Sequence, residues 1–184
     1  MNHKQIAGLA VISIADGTKV GTIDQVYVDP IAKRIVGFAI KPEGARLGAD
    51  APNLIDVDDV HALGHDALTL NDTNAVRGDR TRSAMAALVE VDELTKRKVV
   101  TEGGTLVGQV AGVEFDERSF GMTQIEVSPG YFKSNKHVAT NQIVSVGEMV
   151  IVADSVCTPE GEPAAAPTRT EGRFVVGDVT RSTE

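Results

Sequence analysis

The sequence predicts an all-β protein: two tandem small β-barrels followed by a flexible C-terminal tail. Three observations carry that prediction. The chain repeats itself, it reads as short apolar segments between turn residues with no long helical period, and its side chains are small, with 18 glycines and no tryptophan in 184 residues. The repeat comes first, because missing one misassigns a whole fold. Gly17-Thr18-Lys19-Val20-Gly21 recurs as Gly104-Thr105-Leu106-Val107-Gly108, 87 positions later, and the same offset pairs Val26 with Val113, Val28 with Phe115, Asp29 with Asp116 and Pro42 with Pro129. Beyond the proline the offset becomes 83, setting Ile55 on Val138, Val60 on Ile143, Leu63 on Val146 and Leu68 on Ile151. The loop after the proline is therefore shorter in the second copy.

In the first copy an apolar strand at residues 9–14 leads through a Gly-containing turn to a strand at 20–28, and Asp29-Pro30 marks the next turn. Residues 35–40 form the following strand, 58–63 a short helical or 3₁₀ turn, and 67–70 the last strand. Val20, Ile23, Val26 and Val28 break strict alternation, as expected where a bulge bends a strand so that a small sheet can close on itself. The boundaries are then 1–72 for the first barrel, 73–87 for a linker with a short helix near 83–88, 88–154 for the second barrel and 155–184 for the tail. Pro159, Pro163 and Pro167 around Ala164-Ala165-Ala166 mark the tail as flexible. Its last apolar group, Phe174-Val175-Val176, gains little burial against its ordering entropy, so a free tail is expected.

Hydrophobic residues make up 42% of the chain and charged ones 24%, which calls for a packed core. The net charge of −8 makes the average surface repel phosphate backbones and anionic lipid and attract a basic protein. Lys and Arg cluster at Arg77, Arg80 and Arg82 and at Lys96, Arg97 and Lys98, but among carboxylates and without interleaved aromatics, so no direct nucleic-acid binding is expected. A single cysteine, Cys157, excludes an internal disulfide and fits a reducing, cytoplasmic setting. Lys4 followed by the apolar residues 6–15 superficially resembles a secretion signal, yet no small-x-small site follows and Asp16-Gly17 interrupts it. No apolar run approaches the roughly 20 residues of a membrane-spanning helix.

The ordered frame in Val11-Ile12-Ser13-Ile14-Ala15-Asp16-Gly17-Thr18-Lys19-Val20-Gly21, continued by a strand from Ile23 to Asp29, resembles the PRC-barrel family. Ile55-Asp56-Val57-Asp58-Asp59-Val60, then Ala62-Leu63-Gly64 and Leu68, is similar to that family's closing strands. The second copy carries Glu102-Gly103-Gly104 in place of the Asp-Gly turn, so its assignment rests on the internal repeat. The two copies cover residues 4–154. The resemblance implies two PRC-type barrels serving as docking modules without catalysis, as in the cytoplasmic part of the photosynthetic reaction-centre H subunit and the C-terminal half of a bacterial ribosome-maturation factor. Neither specific role carries over, because this sequence lacks the transmembrane helix of the first and has another PRC-like copy where the second has its own N-terminal domain.

Candidates for chemistry are thin. His61 and His65, with Asp56, Asp58, Asp59 and Asp66 nearby, allow a metal site to be drawn, but their spacing fits no common ligand motif and the second copy has Val144 and Glu148 instead. Ser13, Ser128 and Ser145 lack the strained turn of a nucleophile, and Gly17, Gly21, Gly103, Gly104 and Gly108 read as turn residues tolerating positive φ rather than a phosphate cradle. No catalytic residue, cofactor or metal is expected. A barrel of roughly 70 residues fills its interior with its own side chains, which favours a protein-interaction or assembly module, with a small-ligand or metal-binding regulatory or stress-related barrel as the alternative. Strand parity places Val36, Phe38 and Ile40, with Thr123, Ile125 and Val127, on the inward face. It leaves Tyr27, Ile35 and Ala39 on an outer face more apolar than its counterpart Glu114, Met122 and Glu126, and so marks them as an interaction surface for copy two, a second subunit or a foreign protein. Tyr131 and Phe132, in a loop of the second copy, form a second candidate patch. The partner's identity and any homo-oligomerisation stay open.

Overall fold

The chain's first element is one the repeat frame does not announce. Asn2 caps a single helical turn, α1 (His3–Ile6): its side chain accepts from the Lys4 N–H at 3.0 Å, while Gln5 Oε1 accepts from the Asn2 N–H at 2.9 Å. This reciprocal capping box satisfies two backbone donors that a helix start leaves orphaned. The computed structural model describes residues 1–44, 53–76, 88–130 and 134–157. After α1 come β1 (Ala10–Ser13), β2 (Lys19–Asp29), β3 (Arg34–Pro42), β4 (Asn53–Asp56), a 3₁₀ turn Val57–Asp59, β5 (Val60–Leu63), β6 (Ala67–Leu70) and a 3₁₀ turn Thr73–Ala75. The second half runs β7 (Val89–Glu90), α2 (Val91–Leu94), β8 (Lys98–Thr101), β9 (Leu106–Phe115), β10 (Met122–Ser128), β11 (Lys136–Ala139), a 3₁₀ turn Thr140–Gln142, β12 (Ile143–Val146), β13 (Val150–Val152) and a 3₁₀ turn Asp154–Cys157. The helix expected near 83–88 falls on residues that, but for Leu88, lie outside the described ones, as does the tail beyond Cys157.

The two sheets have the same strand order, β4-β3-β2-β1-β6-β5 and β11-β10-β9-β8-β13-β12. All neighbours are antiparallel except β1–β6 and β8–β13, which are parallel. Near the end the register corrects the repeat by one residue. Leu63 faces Leu68 and Val146 faces Val150, so Leu68 corresponds to Val150 rather than Ile151. The turn before β13 has lost a residue.

The bulges inferred from broken alternation are present: the β2–β3 register shifts between Ile23 and Gln25 and again between Tyr27 and Val28. The second shift sets Val28 opposite Ile35 and Tyr27 opposite Gly37, so Val36 has no partner and the parity of β3 flips there. Ile35 is consequently fully buried in the core and Val36 only half-buried. β10 does the same, with Met122 buried and Thr123 exposed. Sequence parity therefore holds from Phe38 and Ile125 onward and fails by one residue before them.

The halves are not separate beads. β7 pairs with the far end of β2 through Tyr27–Glu90 and Val28–Val89, so the first residues of the second copy complete the first sheet. The reciprocal contact is the bridge from Asn2 to Glu114 on β9. α2 packs on β2 and α1 on β9, and the buried apolar cluster runs without a break through both halves, joining Ile6, Val91 and Leu94 to Val28, Phe38, Val113 and Phe115. The two halves also meet directly at Arg34 and Gly121, residues equivalent under the 87-residue repeat. The Ile35 N–H donates to Phe120 O and the Met122 N–H to Lys33 O, both at 2.8 Å. A contact in which each residue meets the counterpart of its own partner is an isologous, two-fold one, here built inside a single chain.

The Val-Gly of each repeat has a reason other than the turn expected from sequence. Gly17 and Gly104, at φ 70° and 82°, are turn glycines, but a Cβ on Gly21 would lie 2.3 Å from Lys41 O and one on Gly108 2.2 Å from Ser128 O. The backbones of β2 and β3, and of β9 and β10, cross too closely for a side chain. Gly21→Ala and Gly108→Ala should each destabilise by about 1–3 kcal/mol, the usual cost of overpacking, read as a fall in denaturation midpoint. Gly64→Ala, whose Cβ would approach nothing closer than 3.2 Å, should cost clearly less.

Candidate docking surface

The face marked from sequence on the first barrel is occupied by the chain itself. Ile35 belongs to the core for the parity reason given above. Ala39 is fully buried, and with Leu54 it forms a small cluster against which Tyr27 and Leu88 pack. Leu88 immediately precedes β7, so the segment entering the second copy covers this face. Tyr27 is half-buried; its hydroxyl donates to Gln25 Oε1 at 3.0 Å, and the Gln25 amide donates to Glu90 Oε2 at 3.2 Å. The counterpart in the second copy is polar, with Gln124 donating to Glu114 at 2.8 Å and Asn135 to Glu126 at 2.7 Å. Copy one is the more apolar here, as its sequence says, because something in the same chain covers it. Tyr131 and Phe132 lie outside the described residues.

Exposed apolar surface collects elsewhere, on the second barrel. Val100 on β8 faces Leu106 on β9 on one side and Ile151 on β13 on the other, and Ile151 faces Ser145 on β12. Val99, Val150 and Val152 point into the core, so this row points out. Leu106 is 61% exposed, Val100 and Ile151 are half-buried, and Val144, at the bulge beside Ser145, is 52% exposed. The same row in the first barrel is Lys19, Ile12, Thr69 and Ala62, with His61 at the bulge. Large apolar residues exposed in the first barrel, Ile14 and Ile31, sit in turns rather than in a row across strands.

Beside Leu106 an open groove of about 550 Å³ is lined by Lys98, Gln109, Ala111, Ser128 and Pro129. In the first barrel the corresponding place carries an ion pair, Lys19 Nζ to Glu43 Oε2 at 2.7 Å; the residues at those positions in the second are Leu106 and Gly130. Replacing an ion pair by a leucine and a glycine changes a solvated rim into an apolar one. The signal was in the repeat alignment all along, at Lys19 against Leu106 and His61 against Val144.

The side chains with catalytic or ligating chemistry are dispersed. His61, His65 and His137 are exposed, and Cys157 is a free, exposed thiol. Among the described residues no three His, Cys, Asp or Glu side chains come together as a metal set. Asp16, Asp116 and Asp154 have carboxyls held below the ordinary range by their local surroundings: Asp16 by the nearby Ser13 hydroxyl and by the Thr18 N–H that donates to it, Asp116 by Ser119, and Asp154 by the Gly103 N–H and the Thr101 hydroxyl. All three are exposed turn residues whose carboxylates order backbone rather than face a cavity.

With strand order, parallel β1–β6 closure and the Asp-Gly-x-x-Val-Gly frame in place, comparison with protein-family models gives a match to the PRC-barrel domain over residues 1–77. The chain contains a PRC-barrel domain. Its second half repeats the topology of that PRC-barrel strand for strand, which fits tandem copies. No curated protein sequence matches the chain. Among the described residues no helix is long and apolar enough to cross a membrane.

One titratable group sits where the PRC-barrel and its repeat meet. His3 on α1 is 5% exposed, and its Nδ1 accepts a hydrogen bond from the Val113 N–H on β9 at 3.2 Å. Burial holds its pKa below the ordinary 6.5; Lys4 acts in the same direction, and so does the Val113 N–H, which can donate only to an unprotonated Nδ1, while Asp92 and Glu126 oppose it. The unfolded chain therefore takes up this proton more readily than the folded one. The stability contributed by neutral His3 is full above pH 6.5 and is lost as pH falls through that value towards the lowered folded-state pKa. Thermal denaturation of wild type should show a midpoint falling between pH 7.5 and 5.5 by more than that of His3→Gln, which keeps an acceptor but does not titrate.

Proposed function

We propose that the chain is a non-enzymatic protein-docking module whose partner-facing surface is the outer row Leu106, Val100 and Ile151 of the second barrel. The observation that carries this reading is the asymmetry between copies. Among the described residues, the apolar outer face of the first barrel is taken up by the segment entering the second copy, whereas this row is half-buried to exposed, and its equivalent in the first barrel carries Lys19, Thr69 and Ala62. A row across three neighbouring strands about 4.8 Å apart offers a strip on the order of 10 Å wide, flat enough for a protein segment and too open to enclose a small molecule. Lys98 at its edge adds one positive charge to an otherwise acidic protein.

The absence of enzymatic activity belongs to the same reading and is supported by filled barrel interiors and dispersed histidines. An exposed free thiol at Cys157 fits a reducing compartment.

A photo-reactive amino acid placed at position 106 in the full chain should trap a discrete protein adduct in the native cells, and one at the equivalent position 19 should not. Ile151→Asp should abolish the adduct. Leu106→Ala should weaken the purified complex by about tenfold or more, since burying a leucine contributes roughly 1.5–3 kcal/mol. Equal trapping at 19 and 106, or none at either, would remove the row as the docking surface.

A further inference from the structure

The row is bracketed by opposite charges as well as exposed. Outward along β8 the side chains run Lys98, Val100, Glu102, the two charged ones exposed, and the Glu102 N–H continues the strand's pairing by donating to Val152 O at 3.0 Å. The same positions in the first barrel are Ala10, Ile12 and Ile14, where the Ile14 N–H donates to Leu70 O at 2.9 Å. A positive rim on one side of an apolar row and a negative rim on the other therefore occur in the second copy alone. Among the described residues neither Lys98 nor Glu102 is in a salt bridge.

The bracket has the width of a helix. Four residues of extended strand set Lys98 and Glu102 roughly 13 Å apart, and an α-helix with its side chains measures about 10–12 Å across. A helix lying between them reaches a charge on each flank, whereas an extended segment, which occupies only about 4.8 Å of a sheet, reaches one. The spacing along the row agrees. From Leu106 on β9 through Val100 and Ile151 to Val144 on β12, an apolar side chain recurs at each strand, that is, every 4.8 Å or so. One face of a helix repeats every turn, about 5.4 Å, and one face of a strand about every 6.8 Å. Over the three steps of the row a helix drifts out of register by about 2 Å and an extended segment by about 6 Å.

We propose that the occupant of the row is an amphipathic helix of a partner protein, laid across the strands with its apolar stripe on Leu106, Val100, Ile151 and Val144, an acidic flank towards Lys98 and a basic flank towards Glu102. The inference rests on the row being a docking surface and adds what docks there and how it is aligned. Because the two rims differ in sign, turning the helix end for end places like charges together, so the bracket selects one direction of the helix as well as its composition.

The test uses the full chain, with photo-reactive residues placed singly at positions 106 and 144, the two ends of the row, and the trapped partner peptides sequenced by mass spectrometry. Sites about 10 residues apart in the partner are expected for a helix spanning the row, against about 4 for an extended segment. Lys98→Glu should weaken the purified complex about fivefold, and exchanging for lysine the acidic partner residue that faces it should restore binding. Trapped sites about 4 residues apart, or a complex indifferent to Lys98→Glu, overturn the helix and leave the docking surface standing. The absence of any adduct at 106 removes the docking surface and this inference with it. Trapped peptides that come from this chain assign the row to a second copy and overturn the proposal equally.

Discussion

At the centre of the molecule β3 and β10 approach each other antiparallel, and the residues brought face to face, Arg34 and Gly121, hold the same place in the two halves. The two bonds flanking them arise from turns of unusual conformation. Lys33 and Phe120 are the described non-glycine residues with positive φ, at 52° and 58°, and their carbonyls are the acceptors across the junction. A side chain in that region is held at a cost, and each turn is fixed by an aspartate at the end of, or just after, the preceding strand: Asp29 accepts from Ile31 and Ala32, Asp116 from Arg118 and Ser119. The strand-ending Asp of the repeat is thus a device for aiming one carbonyl. Lys33 adds a further link by donating from Nζ to Ile143 O in the other half.

The exchange of arms follows from that junction. Once equivalent strands meet about a two-fold relation, the edge of β2 beyond β1 lies within reach of the second copy's leading segment, and the matching edge of β9 within reach of the first's. Each arm inserts an apolar turn into its neighbour, Ile6 on one side and Val91 with Leu94 on the other. At the junction the copies share the turn aspartates Asp29 and Asp116 and the backbone geometry they set, although the residues that follow differ, Lys33-Arg34 in one and Phe120-Gly121 in the other. On the far side the side chains themselves set the surface, and there Lys19 faces Ile12 in one copy and Leu106 faces Val100 in the other. Functional difference between the copies is expected on the surface that symmetry does not use.

Much of the fold was legible. The repeat offset gave the two sheets, the Gly and Asp-Pro punctuation gave β1, β2, β3 and β6, and broken alternation gave the bulges. What the sequence could not carry is the position of the extra residue within a bulge: Ile35 and Val36 are both β-branched and apolar, so neither parity is penalised by chemistry, and only the neighbouring half, which claims Ile35, decides. α1 was missed although Asn2 and Gln5 spell a capping box, because the repeat frame starts its first strand at residue 9 and has no counterpart for a helical turn before it. The exposed row escaped notice for a related reason. Its members lie on strands far apart in sequence, each unremarkable alone, and only the parallel pairing of β8 with β13 sets Val100 beside Ile151.

The reciprocal arms also constrain how the chain can be made. During synthesis α1 emerges well before the strand it packs on, β9, which ends at Phe115, whose N–H donates to Met1 O. Everything between α1 and β9 must leave the ribosome before α1 finds its seat, and until then the apolar side of α1 and the uncovered end of β2 face water. The seating of α1 waits for β9, and the nascent first barrel stays open to the wrong second barrel, on a neighbouring chain, for as long as its own has yet to appear.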